Sequence, residues 1–253
     1  MKARNVFITG ASSGIGRATA YKFAEYGDNL ILCARRKENL NEIAQDIKNK
    51  WRSHIHIYEM DVTDYENVSS VIKDIEDKNI KIDILVNNAG LASGLDKFQD
   101  SSIEDIEKMI NTNLKGLVYV TRKVIGRMVG DNSGHIINMG STAGIYAYEK
   151  AAVYCASKAA VKTLSDGIRI DVIDKDIKIT TIQPGIVQTD FSEVRFHGDK
   201  DRAEGIYKGI EALQPEDIAD VVLYVANQPK RVQITDVTIM ANQQGTGFNI
   251  YRK

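Results

Sequence analysis

Tyr154 and Lys158 stand four residues apart, and in a helix that spacing puts both side chains on one face. A phenol with a pKa near 10 shuttles protons poorly at neutral pH. A cation ~4 Å away, at an effective dielectric near 20, favours the ionised phenol by about 4 kcal/mol. Lys158 is therefore expected to pull the Tyr154 phenol down toward neutrality. A hydroxyl upstream, Ser141, follows the strand-like run 135–139 and adds a hydrogen-bond donor for a reacting oxygen. A Tyr-x-x-x-Lys pair by itself is a common accident of helices, so its meaning depends on what accompanies it.

A glycine-rich turn accompanies it. Thr9-Gly10-Ala11-Ser12-Ser13-Gly14-Ile15-Gly16 follows an apolar run at 5–9 and opens a helical pattern, the context of a dinucleotide-binding turn. Gly10 permits the tight turn, Gly14 the approach of backbone to a pyrophosphate, and Gly16 close packing of helix on strand. The helix N-terminus offers free N–H groups to the anion. The spacing is GxxxGxG rather than GxGxxG. At the end of the second strand, an acid would hold a ribose 2′-hydroxyl and an Arg a 2′-phosphate. The chain has Cys33-Ala34-Arg35-Arg36-Lys37, with no acid before Glu38. Arg35 and Arg36 therefore point to NADP, while Lys37 is as readily a solvated charge at a helix start.

Such a site needs a scaffold that brings strand ends together. Strand-like runs at 5–9, 30–34, 55–60, 82–87, 135–139, 177–182 and 235–240 alternate with helix-period segments at 15–26, 38–50, 67–78, 103–129 and 152–174. Thr63-Asp64, Ser101-Ser102 and Pro215-Glu216-Asp217 mark helix starts. The alternation predicts an α/β fold: one Rossmann-type domain over 1–253, a doubly wound parallel seven-stranded sheet with helices on both faces. The polar stretch 191–209 breaks the pattern and is expected to be a mobile substrate loop, spanning about 188–210, with one or two short helices.

Composition narrows the partners. Of the 253 residues 43% are hydrophobic and 26% charged, and the formal net charge is -1. That is ordinary for a globular protein and offers no basic excess for nucleic acid or an anionic membrane. No apolar run exceeds about six residues (151–156 and 221–226), against ~20 for a span, and no signal-peptide region follows Lys2 and Arg4. Two cysteines, Cys33 and Cys155, without CxxC spacing argue against a disulfide scaffold or zinc site and suit the cytoplasm. His54 and His56 share a strand face without a third ligand, so no metal is expected.

The motifs appear in an order that resembles the short-chain dehydrogenase/reductase family: TGASSGIG at 9–16, DV at 61–62, NNAG at 87–90, Asn113, Ser141, YCASK at 154–158 and PGIVQT at 184–189. The resemblance covers essentially the whole chain. It implies that Tyr154 is the general acid/base, that Ser141 polarises the substrate oxygen, and that Lys158 binds the nicotinamide ribose. Asn113 would hold a water in the proton relay. Ser12, Ser13 and Ile15 join the glycines of the cofactor turn. Asp61 and Val62 would border the adenine and Asn88 the adenosine-side ribose and pyrophosphate. Pro184, Gly185, Ile186, Val187 and Thr189 would embrace the nicotinamide carboxamide. Asp61 could instead merely support its turn, and Asn87 could be purely structural.

A narrower similarity, in NNAGLASG at 87–94, TNLKGLVYVTR at 112–122, HIINMGSTAG at 135–144 and FSEVRFHGD at 191–199, is to NADP-dependent 3-hydroxy acid dehydrogenases, including enzymes that oxidise serine and allo-threonine. It implies small 3-hydroxy acids handled by a homotetramer. Arg195 offers a bidentate clamp for the substrate carboxylate, with Arg202 the weaker candidate. Arg195 could equally be a solvated loop charge or an intersubunit contact. Tyr146 and Tyr148 could wall the pocket, or belong to the core or an interface. Two alternatives stand beside this reading: a reductase of 3-oxoacyl groups or bulkier ketones and aldehydes, and a noncatalytic NADP sensor, against which the Asn113, Ser141, Tyr154 and Lys158 set argues.

Overall fold

The computed structural model describes residues 3–253. Strands β1 (Asn5–Thr9), β2 (Asn29–Ala34), β3 (Ile55–Glu59), β4 (Ile84–Asn87), β5 (Gly134–Met139), β6 (Ile177–Pro184) and β7 (Asp236–Ile239) form one sheet in the order β3-β2-β1-β4-β5-β6-β7. All neighbours run parallel. The helices are α1 (Gly14–Tyr26), α2 (Lys37–Lys50), α3 (Tyr65–Asp77), α4 (Ile103–Ile110), α5 (Leu117–Gly130), α6 (Ala152–Asp171), α7 (Phe191–Arg195), α8 (Lys200–Tyr207) and α9 (Pro215–Ala226).

Period-two alternation sorts the strand side chains between two cores. Val6, Ile8, Leu30 and Leu32 pack with Phe23 of α1, Leu40 and Ile47 of α2 and Val222 of α9. Phe7, Ile31 and Leu85 point the other way and pack with Val68 of α3, Val124 of α5 and Ile179 of β6. Burial on both faces is what a parallel sheet between helical layers requires. This is the doubly wound fold that the alternation predicts. Because β1 is flanked by β2 and β4, the connections on its two sides diverge, and a crevice opens beyond the carboxyl ends of β1 and β4. Among the described residues no helix is long and apolar enough to cross a membrane.

Local chemistry fixes several boundaries. The Asp64 carboxylate caps α3 by accepting from the N–H groups of Glu66 and Asn67. Pro215 opens α9, and Asp217 accepts from the Gln214 N–H at 2.8 Å. Ser102 occupies the N-cap position of α4, but its hydroxyl makes no cap bond. Helix α6 stops at Asp171 rather than 174, because a turn closed by Lys175 N–H to Val172 O redirects the chain into β6.

The segment 103–129, which its periodicity predicts to be one helix, is interrupted. A π-helical stretch, Asn111–Gly116, lies between α4 and α5. Asn113 in that stretch turns its side chain onto the backbone of Leu91, accepting from the N–H and donating to the C=O, both at 2.8 Å. The two bonds give the widened turn a partner in the loop after β4, which a regular α-helix would not reach in the same way. Beneath it, Asn87 donates to Thr121 Oγ1 at 2.8 Å and to Asn138 Oδ1 at 2.9 Å, and Asn138 donates to Ser165 Oγ. Asn87 therefore ties β4 to β5 and α5.

Candidate active site

The carboxyl ends of β1 and β4 meet in the glycine turn. Gly10 has φ +64°, and a Cβ there would lie 2.9 Å from the Cα of Ala89. A Cβ on Gly16 would come within 2.4 Å of both Asn88 Nδ2 and Gly10 O. Both positions thus exclude any larger residue. Asn88 donates through Nδ2 to Thr9 O and Gly10 O at 3.1 Å, and Thr9 Oγ1 accepts from the N–H groups of Asn88 and Ala89. The turn is held open by these bonds at the N-terminus of α1, where unpaired N–H groups favour an anion.

Arg35 and Arg36 are exposed beside this turn at the end of β2, and Arg36 Nη2 lies 3.3 and 3.2 Å from the hydroxyls of Ser12 and Ser13. Neither arginine pairs with a carboxylate among the described residues. The four side chains form a cationic, hydroxyl-lined lip that fits a phosphate monoester. Asp61 accepts from the Thr63 N–H and hydroxyl at 2.9 and 2.8 Å, so it supports its own turn while lining the cleft with Val62.

One cleft of about 460 Å³ runs from this lip to α7. It is lined by Gly10, Ser12, Ser13, Gly14 and Ile15 of the glycine turn, by Arg35, Arg36, Asp61, Val62 and Asn88, by Ser141, Tyr154 and Lys158, and by Pro184, Gly185, Ile186, Val187 and Thr189. Arg195 lines it as well. Gly16 and Asn113 are not on its wall. Gly16 acts behind the turn, and the Asn113 amide is taken up by Leu91 and by Ser157 Oγ at 3.1 Å. The Asn113 side chain thus fixes the loop after β4.

Ser141 leaves β5 in extended backbone, and its hydroxyl oxygen accepts from the Ala143 N–H at 3.1 Å, leaving its proton to donate into the cleft. Tyr154 and Lys158 lie on the buried face of α6. Lys158 does not play the part its spacing predicts. Its Nζ donates to Met139 O at 2.9 Å, and burial pulls its pKa down to about 8. Burial pushes the Tyr154 phenol well above its ordinary value, the nearby Tyr148 adds to the rise, and Ser141 and Arg195 oppose it. Burial penalises the charged form of both groups, and the groups that act to lower the phenol here are Ser141 and Arg195 rather than Lys158.

Arg195 is 5% exposed. Its guanidinium carbon stands 5.4 Å from the centre of the Tyr154 ring and 5.6 Å from that of Tyr148. Nη2 donates to Tyr148 Oη at 2.8 Å, and Nε lies 3.4 Å from Gly94 O. No carboxylate pairs with it among the described residues. Arg202, the weaker candidate, instead stacks over Phe196 outside the cleft wall. Tyr148 lines the pocket and Tyr146 does not.

A sequence model of the short chain dehydrogenase family matches residues 4–200. The chain belongs to the short chain dehydrogenases. Among members of known sequence, this dehydrogenase is 40% identical over 254 residues to the NADP-dependent 3-hydroxy acid dehydrogenase of Schizosaccharomyces pombe, covering 100% of this chain and 98% of the relative. It is 40% identical over 250 residues to the NADP-dependent 3-hydroxy acid dehydrogenase YdfG of Escherichia coli K12, covering 98% and 99%. The closed form of a serine dehydrogenase complexed with NADP+ superimposes with a TM-score of 0.91 at 40% identity, over 98% of this chain and 100% of the other.

Several cleft residues of the dehydrogenase escape motif reading. Phe191 packs its ring 5.8 Å from that of Tyr154, and Tyr207 accepts a bond from, or donates one to, Ser192 Oγ at 2.8 Å. Gln244 and Phe248, near the C-terminus, also line the cleft. Phe191 lies inside the quoted FSEVRF string and could have been found there. Gln244 and Phe248 carry no local signature.

Proposed function

We propose that this short chain dehydrogenase interconverts small 3-hydroxy acids, serine and L-allo-threonine among them, with their 3-oxo counterparts, using NADP. The observation that carries this reading is Arg195: a buried cation beside Tyr154, without an acidic partner among the described residues, in the same cleft as the Arg35 and Arg36 lip. A buried, unpaired charge is costly unless a ligand neutralises it. A carboxylate that does so leaves the 3-carbon of a short acid pointing toward Tyr154 and Ser141.

Gly10, Ser12, Ser13, Gly14, Ile15 and Asn88 would hold the pyrophosphate and ribose of the cofactor, Asp61 and Val62 the adenine. Arg35 and Arg36 would hold the 2′-phosphate. Lys158 would reach the nicotinamide ribose, and 184–189 the carboxamide. When bound, the nicotinamide supplies hydride exchange with the substrate carbon. Tyr154 takes the hydroxyl proton in oxidation and returns one to the oxygen in reduction. Ser141 donates to that oxygen as its negative charge grows. The Arg195 contact holds the acid in register for both steps.

The resemblance to the 3-hydroxy acid dehydrogenases extends the proposal to a homotetramer, and two free, buried cysteines support a cytoplasmic setting. Steady-state rates with NADP and NAD on serine, allo-threonine, 3-hydroxybutyrate and 3-hydroxypropionate test the reading. Turnover of at least one of these acids with NADP is expected. Turnover confined to uncharged alcohols or ketones would overturn it.

A further inference from the structure

Asp105, in the first turn of α4, is a buried carboxylate that no motif marks. A buried carboxylate needs hydrogen-bonding or charged partners, and its two oxygens find them on two different segments. Oδ1 accepts from the Ser93 hydroxyl at 2.5 Å, in the loop after β4. Oδ2 stands 3.4 Å from Nε2 of His197, just past the end of α7. Between these two points the chain clasps itself. The Gly94 N–H donates to Arg195 O at 2.9 Å, and Arg195 Nε lies 3.4 Å from Gly94 O. Asp105, Ser93, Gly94, Arg195 and His197 therefore form a closed ring of contacts. Gly94 has φ +71°, and a Cβ there would lie 3.1 Å from Asp105 Oδ2 and 3.2 Å from Asp96 Oδ2, so that corner of the ring suits glycine alone.

The ring bears on Arg195 through the backbone. Asp105 makes no ion pair with the guanidinium and binds the residues on either side of the Gly94 and Arg195 clasp instead. Helix α7 has only five residues, too few to hold a side chain in place by its own helical bonds, so the direction of Arg195 has to come from what grips α7. Asp105, Arg195 and Tyr154 border one small cavity of about 20 Å³, which sets the ring beside the phenol.

We propose that Asp105 is the positioning residue for Arg195: it locks the loop after β4 to the end of α7 and so fixes the guanidinium over the Tyr154 ring. The inference rests on the hydroxy-acid reading for what Arg195 binds, while the positioning concerns Asp105 and Arg195 alone. A guanidinium displaced by about 1 Å loses register with a carboxylate, at a cost of up to ~10²-fold in rate. It also ceases to oppose the cost of ionising Tyr154. That phenol is otherwise faced by Tyr148 and Cys155, which raise its pKa, and by Ser141, which lowers it. Loss of the cation therefore moves the pH at which the phenol acts upward.

The test is a double-mutant cycle of Asp105→Ala and Arg195→Ala, read as the pH profile of kcat/KM on 3-hydroxybutyrate and on its methyl ester, with NADPH fluorescence titration as the check on folding. Asp105→Ala alone is expected to lower kcat/KM for the acid about 10- to 10²-fold and for the ester much less. It should also move the rising limb of the ester profile to higher pH, as Arg195→Ala does. In the Arg195→Ala background it should change neither, because a residue that acts through Arg195 has no effect once the guanidinium is gone. Asp105→Asn keeps an acceptor for Ser93 and should lose less than Asp105→Ala. Losses that add in the double variant overturn the inference, as does an Asp105→Ala enzyme with wild-type kinetics. If Asp105→Ala fails to bind NADPH, Asp105→Asn takes its place in the cycle. If Arg195→Ala treats acid and ester alike, the carboxylate reading fails and the ester profile still decides the positioning. If only neutral alcohols turn over, 2-butanol replaces the ester.

Discussion

The guanidinium carbon of Arg195 lies 5.4 Å from the centre of the Tyr154 ring, although the two residues come from different elements, α7 and α6. A cation over a buried phenol opposes the cost of ionising it. On the proposed reading, α7 thereby joins anion recognition by Arg195 to proton transfer at Tyr154 in one contact.

Tyr154→Phe removes the proton carrier and keeps the ring against Phe191. kcat should fall by roughly 10²–10⁴-fold or more, the range for a positioned acid or base, while NADPH fluorescence titrations stay near wild type. A variant retaining a substantial fraction of wild-type kcat would remove Tyr154 from the assignment.

Arg35 and Arg36 each offer charge-assisted bonds worth about 1.5–3 kcal/mol to a 2′-phosphate. Arg35→Ala with Arg36→Ala should therefore lower kcat/KM for NADP by roughly 10²-fold or more, with NAD little affected. The ratio of kcat/KM for the two cofactors reads this directly, and an unchanged ratio counts against the lip as the phosphate site.

Lys158 gives a pH dependence with a definite sign. Burial lowers its pKa from 10.5 to about 8, so the unfolded chain binds more protons than the folded one between those values. Stability from this group rises with pH across that window and is flat below it, by a total of about 3 kcal/mol. The raised pKa of Tyr154 acts in the opposite sense above pH 10. Urea unfolding of wild type and Lys158→Met at pH 7, 8, 9 and 10 separates the two. The wild type should gain on the variant between pH 8 and 10. Parallel curves would show that the ammonium carries no burial penalty.

The sheet was legible because strands buried on both faces, such as Val6-Phe7-Ile8, read as short continuous apolar runs between helix-period segments. The cleft was legible where short motifs hold its parts, as in the glycine turn and in Tyr154 and Lys158. The π-helical stretch at Asn113 was not, since the apolar spacing of 103–129 suits a regular helix and the bonds that accompany the wide turn come from Leu91. The balance of charge at Tyr154 also escaped. Spacing places Lys158 on the right face, but only the folded chain shows Met139 O taking its ammonium and burial raising the phenol. Phe248 meets Tyr148 from the far end of the sequence, and no local pattern encodes that contact.

The central claim is that Arg195 binds the substrate carboxylate. Its most direct test is kcat/KM of wild type and Arg195→Ala for 3-hydroxybutyrate and for its methyl ester. Loss of the clamp should cost roughly 2–4 kcal/mol of transition-state stabilisation for the acid and much less for the ester, which has no carboxylate to lose. General damage to α7 cancels in that comparison. Equal losses for acid and ester would contradict the account and leave Arg195 as a support for the loop.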